Sequence, residues 1–523
     1  MNCNKKEGFT LTEEFPTGKM PFDPEPYWQE STQLPTFSPL SNDTKVDVAI
    51  VGGGITGITT AYLLSKSGLK VAVVEANRVL NGTTGHTTAK VTAQHGLIYD
   101  EFIQHMGQEK TKLYYEANND GLRFVRQTIK DLKIECDLTE EDASMYAVSD
   151  TYARKIIKEY EAYQKLGIPS EMADSIPLPI DIKGTLIMKN QAQFHPLRYL
   201  KTLIDEILKA GGEIYEKSTA VKIDQESANP TVTTQDGHNV NCKYAISCSH
   251  FPFIDGKGYY FTRLSAERSY VLGVTTKREF PGGMYYSADS PARSLRSTPM
   301  NGEKLVLISG DGHKTGQGTS TYKHYRALEE FGEDVLGIKE IKYRWSAQDL
   351  YTLDKLPYVG PITAKKPNIL VATGYRKWGM SNSTAAAKIL TDLVLDKENP
   401  YADLYSPSRF YADPSIKKFL SQNLDVAGHL IEGKFDLADK RIEDVSNDEG
   451  AIVVVKGQRA GCYRDAEGQI NLVDTTCTHM GCEVEWNSGD RSWDCPCHGS
   501  RFSVEGEVIE GPAKKPLKQV DLD

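Results

Sequence analysis

One short segment constrains the fold of this chain more than any other: a glycine-rich turn that joins a strand to a helix. The apolar run 46–51 has the composition of a buried strand, and a second such run at 70–75 ends in Glu75. The glycine spacing is G-x-G-x-x-G and the acid follows about 20 residues later, which is the dinucleotide-binding pattern. The sequence therefore predicts an α/β domain of Rossmann type, built on a parallel sheet. The glycines of the turn are Gly52, Gly53, Gly54 and Gly57.

Each position of this turn has a physical reason. Gly52 allows the tight turn, Gly54 lets the backbone approach a pyrophosphate, and Gly57 lets helix and strand pack closely. The first turn of the helix offers N–H groups and a positive dipole end to phosphate. Glu75 can accept hydrogen bonds from ribose hydroxyls and disfavours a 2′-phosphate, which argues against NADP. An ordinary glycine-rich turn is the alternative, but strand, helix and acid stand in the register that a dinucleotide requires.

A second pattern lies near the C-terminal end, where five of the nine cysteines are grouped. Cys477-Thr-His479 is C-x-H, and Cys495-Pro-Cys-His498 is C-x-x-H. The pattern resembles a Rieske motif, in which one iron of a 2Fe-2S cluster takes two thiolates and the other takes two imidazoles. Two cysteines and two histidines also suit tetrahedral zinc, although this spacing is not usual for a zinc finger.

Two further cysteines make the resemblance more specific. The stretches 477–482 and 495–500 resemble the Rieske proteins of respiratory and photosynthetic cytochrome complexes. That resemblance implies a disulfide between Cys482 and Cys497. Two reduced thiols are the alternative, because disulfides are uncommon in the cytosol.

The surroundings of the motif bear on what the cluster does. Ser500 could donate a hydrogen bond to a cluster sulfide, but Phe502 stands where the cytochrome-complex family has a tyrosine donor. We therefore expect a lower potential than in the quinol-oxidising members. The sequence after the motif has no 2-His-1-carboxylate pattern. The cluster is therefore expected to relay electrons rather than to serve an oxygenase site in this chain.

Three other stretches resemble the D-amino-acid oxidase superfamily of FAD enzymes. They lie at 81–89, 191–200 and 343–375. The nearest likeness is to the amine-oxidising branch, which implies FAD as cofactor and a small amine or amino-acid-like substrate. A second dinucleotide fingerprint is not evident in the sequence, which favours direct substrate oxidation over NADH oxidation. The residues that the resemblance places at the flavin are Thr83, Thr84, His86, Thr373 and Gly374.

Three residues are candidates for roles beside the flavin. A histidine after a similar run carries the flavin covalently in the dimethylglycine and sarcosine dehydrogenase branch, whereas His86 lacks the accompanying Trp. A histidine hydrogen-bonded near the flavin is the alternative. Tyr375 and Arg376 follow the flavin-facing glycine and are candidates for holding a substrate carboxylate, which suits the fork of an arginine. The sequence assigns no catalytic base.

Composition sets outer limits on the function. The chain has 523 residues, 25% of them charged, and a net charge of −10, which argues against a nucleic-acid partner. No apolar run approaches the roughly 20 residues of a transmembrane helix. The polar start does not have the pattern of a signal peptide, so we expect a cytoplasmic protein.

The expected fold class has two parts: an α/β FAD-binding Rossmann-type domain with an inserted antiparallel substrate sheet, and a small all-β Rieske domain. The expected function is oxidation of a small-molecule substrate by FAD, with electrons passing to the Rieske cluster and then to an external acceptor. An electron-transfer or redox-sensing protein without small-molecule turnover is the alternative, and a cavity beside the flavin would distinguish the two. The predicted segments are an N-terminal extension (1–44), an oxidoreductase domain (45–425, with the inserted sheet at about 255–345), a linker (426–436) and a Rieske domain (437–523).

Overall fold

The computed structural model describes residues 20–224, 228–254, 258–318, 321–432 and 440–521. Parts of the predicted N-terminal extension and linker, at 1–19 and 433–436, lie outside the described residues. Helices and strands are numbered along the chain. The helices are α1 (Tyr27–Glu30), α2 (Ile55–Lys66), α3 (Tyr99–Leu132), α4 (Asp150–Leu166), α5 (Pro196–Lys209), α6 (Tyr322–Leu336), α7 (Gly379–Val394), α8 (Ala402–Tyr405) and α9 (Ala412–Glu432).

The first large sheet is the predicted nucleotide-binding sheet. Its strands are β2 (Val48–Val51), β3 (Val71–Val74), β8 (Glu213–Tyr215), β12 (Tyr244–Ser247), β18 (Tyr358–Pro361) and β19 (Ile369–Thr373). They lie in the order β18-β19-β12-β2-β3-β8, parallel from β19 to β8, with β18 antiparallel at the edge. Every residue of β2 and β3 is buried, which explains their continuous apolar sequences. This sheet confirms the α/β part of the predicted fold.

The second large sheet is mainly antiparallel and holds the predicted insertion. Its strands are β4 (Lys90–Val91), β5 (Thr139–Ala147), β6 (Ser170–Ala173), β7 (Gly184–Gln193), β13 (Leu264–Thr276), β14 (Met284–Ser287), β15 (Arg293–Met300), β16 (Glu303–Lys314) and β17 (Ile338–Thr352). The sequence predicted the later strands and missed β4 to β7. The reason is visible in β5, whose burial increases along the strand instead of alternating, so the period of two is absent.

A smaller sheet and the C-terminal domain complete the fold. The smaller sheet contains β1 (Thr44–Lys45), β9 (Ala220–Asp224), β10 (Thr231–Thr234) and β11 (Asn239–Asn241). The C-terminal domain has two antiparallel sheets, which confirms the predicted small all-β part. They contain β20 (Glu449–Val455), β21 (Gln458–Arg464) and β22 (Ile470–Asp474), and β23 (Glu485–Asn487), β24 (Ser492–Asp494), β25 (Arg501–Phe502) and β26 (Val508–Glu510).

The N-terminal extension packs on the body from residue 20 onward. Tyr27 and Trp28 are buried. The Trp28 indole donates to the Thr87 carbonyl at 2.7 Å, and the Tyr27 hydroxyl donates to the Pro299 carbonyl at 2.9 Å. Trp28 therefore fixes this segment against the loop that the sequence places at the flavin, and Tyr27 fixes it against β15.

The first part of the predicted linker (426–436) is helical. α9 extends into it as far as Glu432, and α8 precedes α9. Lys314 pairs with Asp425 of α9 at 3.0 Å, and the Asn423 amide donates to the Thr262 carbonyl at 3.2 Å. Prolines and serines in this stretch suggested loop, but Pro414 stands in the first turn of α9, where its missing N–H costs no hydrogen bond. Within the described ranges, the structure has no helix long and apolar enough to cross a membrane.

Candidate cofactor cavity and cluster site

The described part of the chain contains a cavity of about 930 Å³. It lies at the carboxyl ends of β2, β3 and β12, where ligands bind in open parallel sheets. Its volume suits a large ligand. Ten residues that the sequence singled out line this one cavity: Gly52, Gly54, Glu75, Thr83, Thr84, His86, Thr373, Gly374, Tyr375 and Arg376.

The glycine turn brings backbone close to backbone. Gly52 has φ +108°, and a Cβ there would lie 2.6 Å from the Cys248 carbonyl oxygen. A Cβ at Gly57 would lie 2.0 Å from the Gly52 carbonyl oxygen, so any side chain would displace the turn. Neither Gly53 nor Gly57 lines the cavity. Their part is to pack the turn, while Gly52 and Gly54 face the ligand space.

Glu75 is fixed by the backbone of the same turn. Its Oε2 accepts from the Gly53 N–H at 2.8 Å, and its Oε1 accepts from the Asn77 N–H at 2.9 Å. Burial raises the pKa of the carboxyl, partly offset by these hydrogen bonds. Each oxygen has a second lone pair, and the residue lines the cavity. This arrangement suits a ribose with two hydroxyls.

The loop 83–86 forms the wall beside α2. Thr84 Oγ1 accepts from the Ile55 N–H at 3.0 Å, and Thr83 Oγ1 donates to the Gln348 carbonyl at 3.1 Å. His86 Nδ1 lies 3.0 Å from the Gly82 carbonyl oxygen, and burial lowers the pKa of its ring. The loop is therefore held at both ends, between the start of α2 and strand β17.

Tyr375 and Arg376 lie together in the cavity wall but differ in their bonding. The Tyr375 hydroxyl hydrogen-bonds with Thr56 Oγ1 at 3.0 Å, which ties it to α2. Arg376 Nη2 donates to the His95 carbonyl at 3.2 Å, and the guanidinium has further donors for a ligand. Arg376 thus remains a candidate for a substrate carboxylate, whereas Tyr375 supports the wall.

Lys90 is a cavity residue that sequence reasoning missed. Its Nζ bonds Ser294 and lies 5.9 Å from the centre of the Tyr286 ring and 6.0 Å from that of Trp378. Burial, with Arg296 nearby, lowers the pKa of Lys90 to about 7. Among the described residues it has no carboxylate within ion-pair distance. Its position at the end of the stretch 81–89 was the signal that could have identified it.

The four candidate cluster ligands meet on two loops of the C-terminal domain. Cys477 and Cys495 are buried free thiols in the same small core cluster, and the rings of His479 and His498 are 5.0 Å apart and nearly perpendicular. Cys482 and Cys497 form a disulfide that joins the two loops. Two sulfur and two nitrogen donors in adjacent pairs suit a cluster with two thiolates on one iron and two imidazoles on the other.

The cluster loops connect directly to the cavity. The Ser500 hydroxyl accepts from the Ala513 N–H at 3.0 Å, and the Ser500 carbonyl accepts from the Cys495 N–H at 2.8 Å. Ala513 and its neighbours Gly511 and Pro512 line the cavity that the glycine turn also lines. Sequence reasoning missed this, because nothing local links 511–513 to the glycine turn. Phe502, the residue in the tyrosine position, is fully buried in the core of the domain.

Strand β17 of the second large sheet lies between the cavity and the cluster loop that contains Gly499. Along β17, Ala347, Asp349 and Tyr351 line the cavity, and Gln348 points to the other face. There its Nε2 donates to the Gly499 carbonyl at 3.0 Å, next to His498. The Phe261 ring lies 5.8 Å from the His479 ring and 5.7 Å from the His498 ring. Both candidate histidine ligands therefore face the oxidoreductase body.

The fold and the two sites together define an FAD-dependent oxidoreductase joined to a Rieske 2Fe-2S domain. The family model for FAD-dependent oxidoreductases (DAO) matches residues 47–393, and the Rieske [2Fe-2S] domain model matches 437–521. The chain belongs to the DAO family and carries a Rieske domain. Its cofactors are FAD and a 2Fe-2S cluster. These matches confirm the predicted family, enzyme class and cofactors.

The relatives agree with this assignment. A Bacillus subtilis (strain 168) protein, YhfW, described as a Rieske 2Fe-2S iron–sulfur protein, is 53% identical over 96% of this chain and 98% of its own. Gamma-glutamylputrescine oxidoreductase of Escherichia coli K12 is 23% identical over 70% of this chain and 88% of its own. The structure of glycine oxidase from Geobacillus kaustophilus superposes with a TM-score of 0.61 at 19% identity, over 71% of this chain and all of that one, which shows the shared fold.

Proposed function

We propose that this oxidoreductase oxidises a small amine or amino-acid-like substrate in the cavity and passes the electrons to its own Rieske cluster, from which an external acceptor takes them. One observation carries the proposal. The cavity lined by Gly52, Gly54 and Glu75 is also lined by Ala513, whose N–H donates to the Ser500 hydroxyl, and the Ser500 carbonyl accepts from the N–H of Cys495 at 2.8 Å. The two cofactor sites thus share a wall.

Bound FAD would accept a hydride from the substrate carbon and would convert this two-electron step into single-electron steps. The chain's residues bind and orient around it. We assign the phosphate and ribose contacts to the turn and to Glu75, and the flavin contacts to the loop 83–86, Thr373 and Gly374. We assign the cluster to Cys477, His479, Cys495 and His498, and we retain 437–523 as the extent of the Rieske domain.

The amino-acid-like character of the substrate is supported by two cations in the cavity. Lys90 and Arg376 both line it, and among the described residues neither has a carboxylate within ion-pair distance. A cation at the wall of a partly dry cavity is stabilised by an anionic ligand group. Tyr286 and Trp378 add an aromatic surface around Lys90. Together they suit a small substrate with a carboxylate.

The alternative is a redox protein without substrate turnover. It requires a flavin face filled by side chains, whereas this cavity extends beyond the dinucleotide turn to His95, Tyr286 and Trp378. His95 is held by Tyr114 at 2.6 Å and by Ser381 at 3.0 Å, and burial lowers its pKa to about 3. A cavity that extends this far, with a fixed neutral imidazole in its wall, leaves space for a substrate beside the dinucleotide turn.

The test is anaerobic addition of glycine, sarcosine, proline and putrescine, each to the purified holoprotein, while the flavin absorbance is followed. We expect at least one of them, or a related amino acid, to bleach the flavin within seconds, with the cluster signal following. Arg376→Lys is the matched variant, since it keeps the charge and loses the fork. A flavin that no amine or amino acid reduces, but that a reduced partner protein does, would favour the alternative.

A further inference from the structure

We infer that the Rieske domain is part of the FAD-binding site itself and retains the cofactor, so that FAD leaves only when the interface between the two domains opens. The inference rests on the proposed placement of FAD in the cavity. It does not depend on the substrate, or on the direction of electron flow.

The C-terminal domain supplies one wall of the cavity. Residues 507–514 and Pro516, which include all of β26 and the loop after it, line the same space as Gly52, Gly54 and Glu75. Gly511 also lies against Phe251, at the end of the parallel sheet. A ligand that reaches from the turn to Tyr375 therefore passes between the α/β domain and this loop.

The interface between the Rieske domain and the oxidoreductase domain is closely packed. A Cβ at Gly499 would lie 2.4 Å from the Ala266 Cβ, and a Cβ at Gly316 would lie 2.5 Å from the Pro496 nitrogen. At Gly499 the backbone of the Rieske domain therefore lies directly against the oxidoreductase domain. At Gly316 the backbone of the oxidoreductase domain lies directly against the Rieske domain. Such packing resembles a domain core more than a transient contact.

Buried ion pairs connect the two domains across the interface. Arg268 of β13 is 1% exposed and pairs with Asp490 and Glu510 of the Rieske domain, each at 3.0 Å. Arg501 pairs with Asp494 at 3.0 Å and with Asp490 at 3.2 Å. Proximity to Arg268 and Arg501 lowers the pKa of Asp490 to about 2 against the effect of burial. Removal of one partner would leave uncompensated charge inside the protein, which favours opening.

A polar contact forms a second anchor. Thr321 Oγ1 donates to Asn487 Oδ1 at 2.6 Å and accepts from the Gly489 N–H at 2.7 Å. The Arg344 guanidinium donates to the Gly489 carbonyl, and the Tyr325 hydroxyl donates to Asp490 at 3.1 Å. The loop between β23 and β24 is thus held against the start of α6.

Arg268 offers a way to open the interface without touching the cofactor. Its neighbours in β13, Glu267 and Ser269, line the cavity, so the Arg268 side chain points away from it. R268M therefore removes an interdomain ion pair without replacing a side chain that lines the cavity.

The experiment measures FAD release from full-length holoprotein after dilution, by the rise of free-FAD fluorescence, together with hydrogen exchange of the amides at 507–514. The variants are R268M and the milder T321V, with the double variant if either alone leaves the exchange unchanged. R409M is the matched control, because Arg409 forms a buried pair with Asp354 at 2.8 Å within the oxidoreductase domain. The cluster signal of each variant shows that the Rieske domain is folded.

We expect at least tenfold faster FAD release when exchange at 507–514 rises, and a rate near that of the unchanged protein for R409M. Release at the unchanged rate despite raised exchange would overturn the inference. FAD that stays on the acid-precipitated chain would also overturn it, since a covalent bond would then be the means of retention. Because no substrate is added, a failure to find amine oxidation would leave this result standing.

Discussion

At the scale of single residues, Lys90 gives a prediction with a defined pH dependence. Burial and the nearby Arg296 lower its pKa to about 7, so it is cationic below that pH and neutral above it. A carboxylate such as benzoate should therefore bind the holoprotein more weakly as the pH rises through 7, as measured by its perturbation of the flavin spectrum. Lys90→Met should weaken binding by about 10- to 100-fold at pH 6, the effect of a lost charged hydrogen bond.

Lys90→Arg is the control for this prediction, because it keeps a cation at the site whose charge does not titrate near neutrality. It should retain benzoate binding and lose the pH dependence between 6 and 8. Equal binding by the Met variant and the unchanged protein would remove Lys90 from the proposed anion site.

A second residue-scale prediction concerns Phe502 and the cluster potential. A tyrosine there could place a hydroxyl toward a cluster ligand, and a hydrogen bond of that kind raises the potential. Phe502→Tyr should shift the midpoint upward within the roughly −150 to +300 mV range of Rieske centres. Redox titration followed by electron paramagnetic resonance measures it, with Phe502→Leu as the control for packing. A Tyr variant with the same midpoint as the Leu variant would contradict the argument.

The sequence predicted the site residues that belong to local motifs and missed those that do not. Gly52 and Glu75 could be identified because their spacing reflects one strand–turn–helix unit. Lys90 has no such spacing, and its role follows from Ser294 and Trp378, which are distant in the chain. Ala513 lines the cavity only because the Rieske domain, to which it belongs, packs against the oxidoreductase domain.

At the scale of elements, the packing of α2 against β2 depends on Gly57. A Cβ at this position would lie 2.0 Å from the Gly52 carbonyl oxygen, so the turn must shift. Gly57→Ala should lower the FAD content of the purified protein at least tenfold while the cluster stays in place. Gly428→Ala in α9 is the control, because a Cβ there meets no atom within 4 Å. Full FAD content in Gly57→Ala would refute the assigned packing role.

The disulfide between the two cluster loops gives a second prediction at this scale. Cys482 and Cys497 are 15 residues apart, and cross-linking a loop of that length stabilises by about 3 kcal/mol. The double variant Cys482→Ser/Cys497→Ser should lose its cluster absorbance at a lower temperature, while the flavin fluorescence transition changes little. Identical cluster loss in both proteins would show that the cross-link does not stabilise the loops.

Element prediction from the sequence succeeded where burial is uniform and failed where the environment varies along an element. β2 is apolar throughout because both faces of its sheet are covered. β5 changes from half-exposed to buried along its length, and α9 carries one proline and two serines in what is nevertheless a helix. Tertiary contacts such as the ion pair between Lys314 and Asp425 stabilise α9 as a helix.

At the scale of the whole molecule, the arrangement of the domains was beyond prediction from the sequence. The motifs defined two cofactor domains, and nothing in them indicated that residues of the Rieske domain line the cavity at the glycine turn of the other domain. That contact depends on pairs such as Arg268 with Asp490, which are 222 residues apart. The sequence pattern around each of them is that of an ordinary surface charge, and only the fold makes both buried.

The central claim is that electrons pass from the substrate cavity to the cluster of the same chain. The most direct measurement mixes the holoprotein anaerobically with a reducing substrate, freezes samples at successive times and quantifies the reduced cluster by electron paramagnetic resonance. We predict a first-order rate that is the same at tenfold different protein concentrations, because the two sites share the wall formed by Ala513 and β17. A rate that rises in proportion to protein concentration, or a cluster that stays oxidised after the flavin is bleached, would contradict the account.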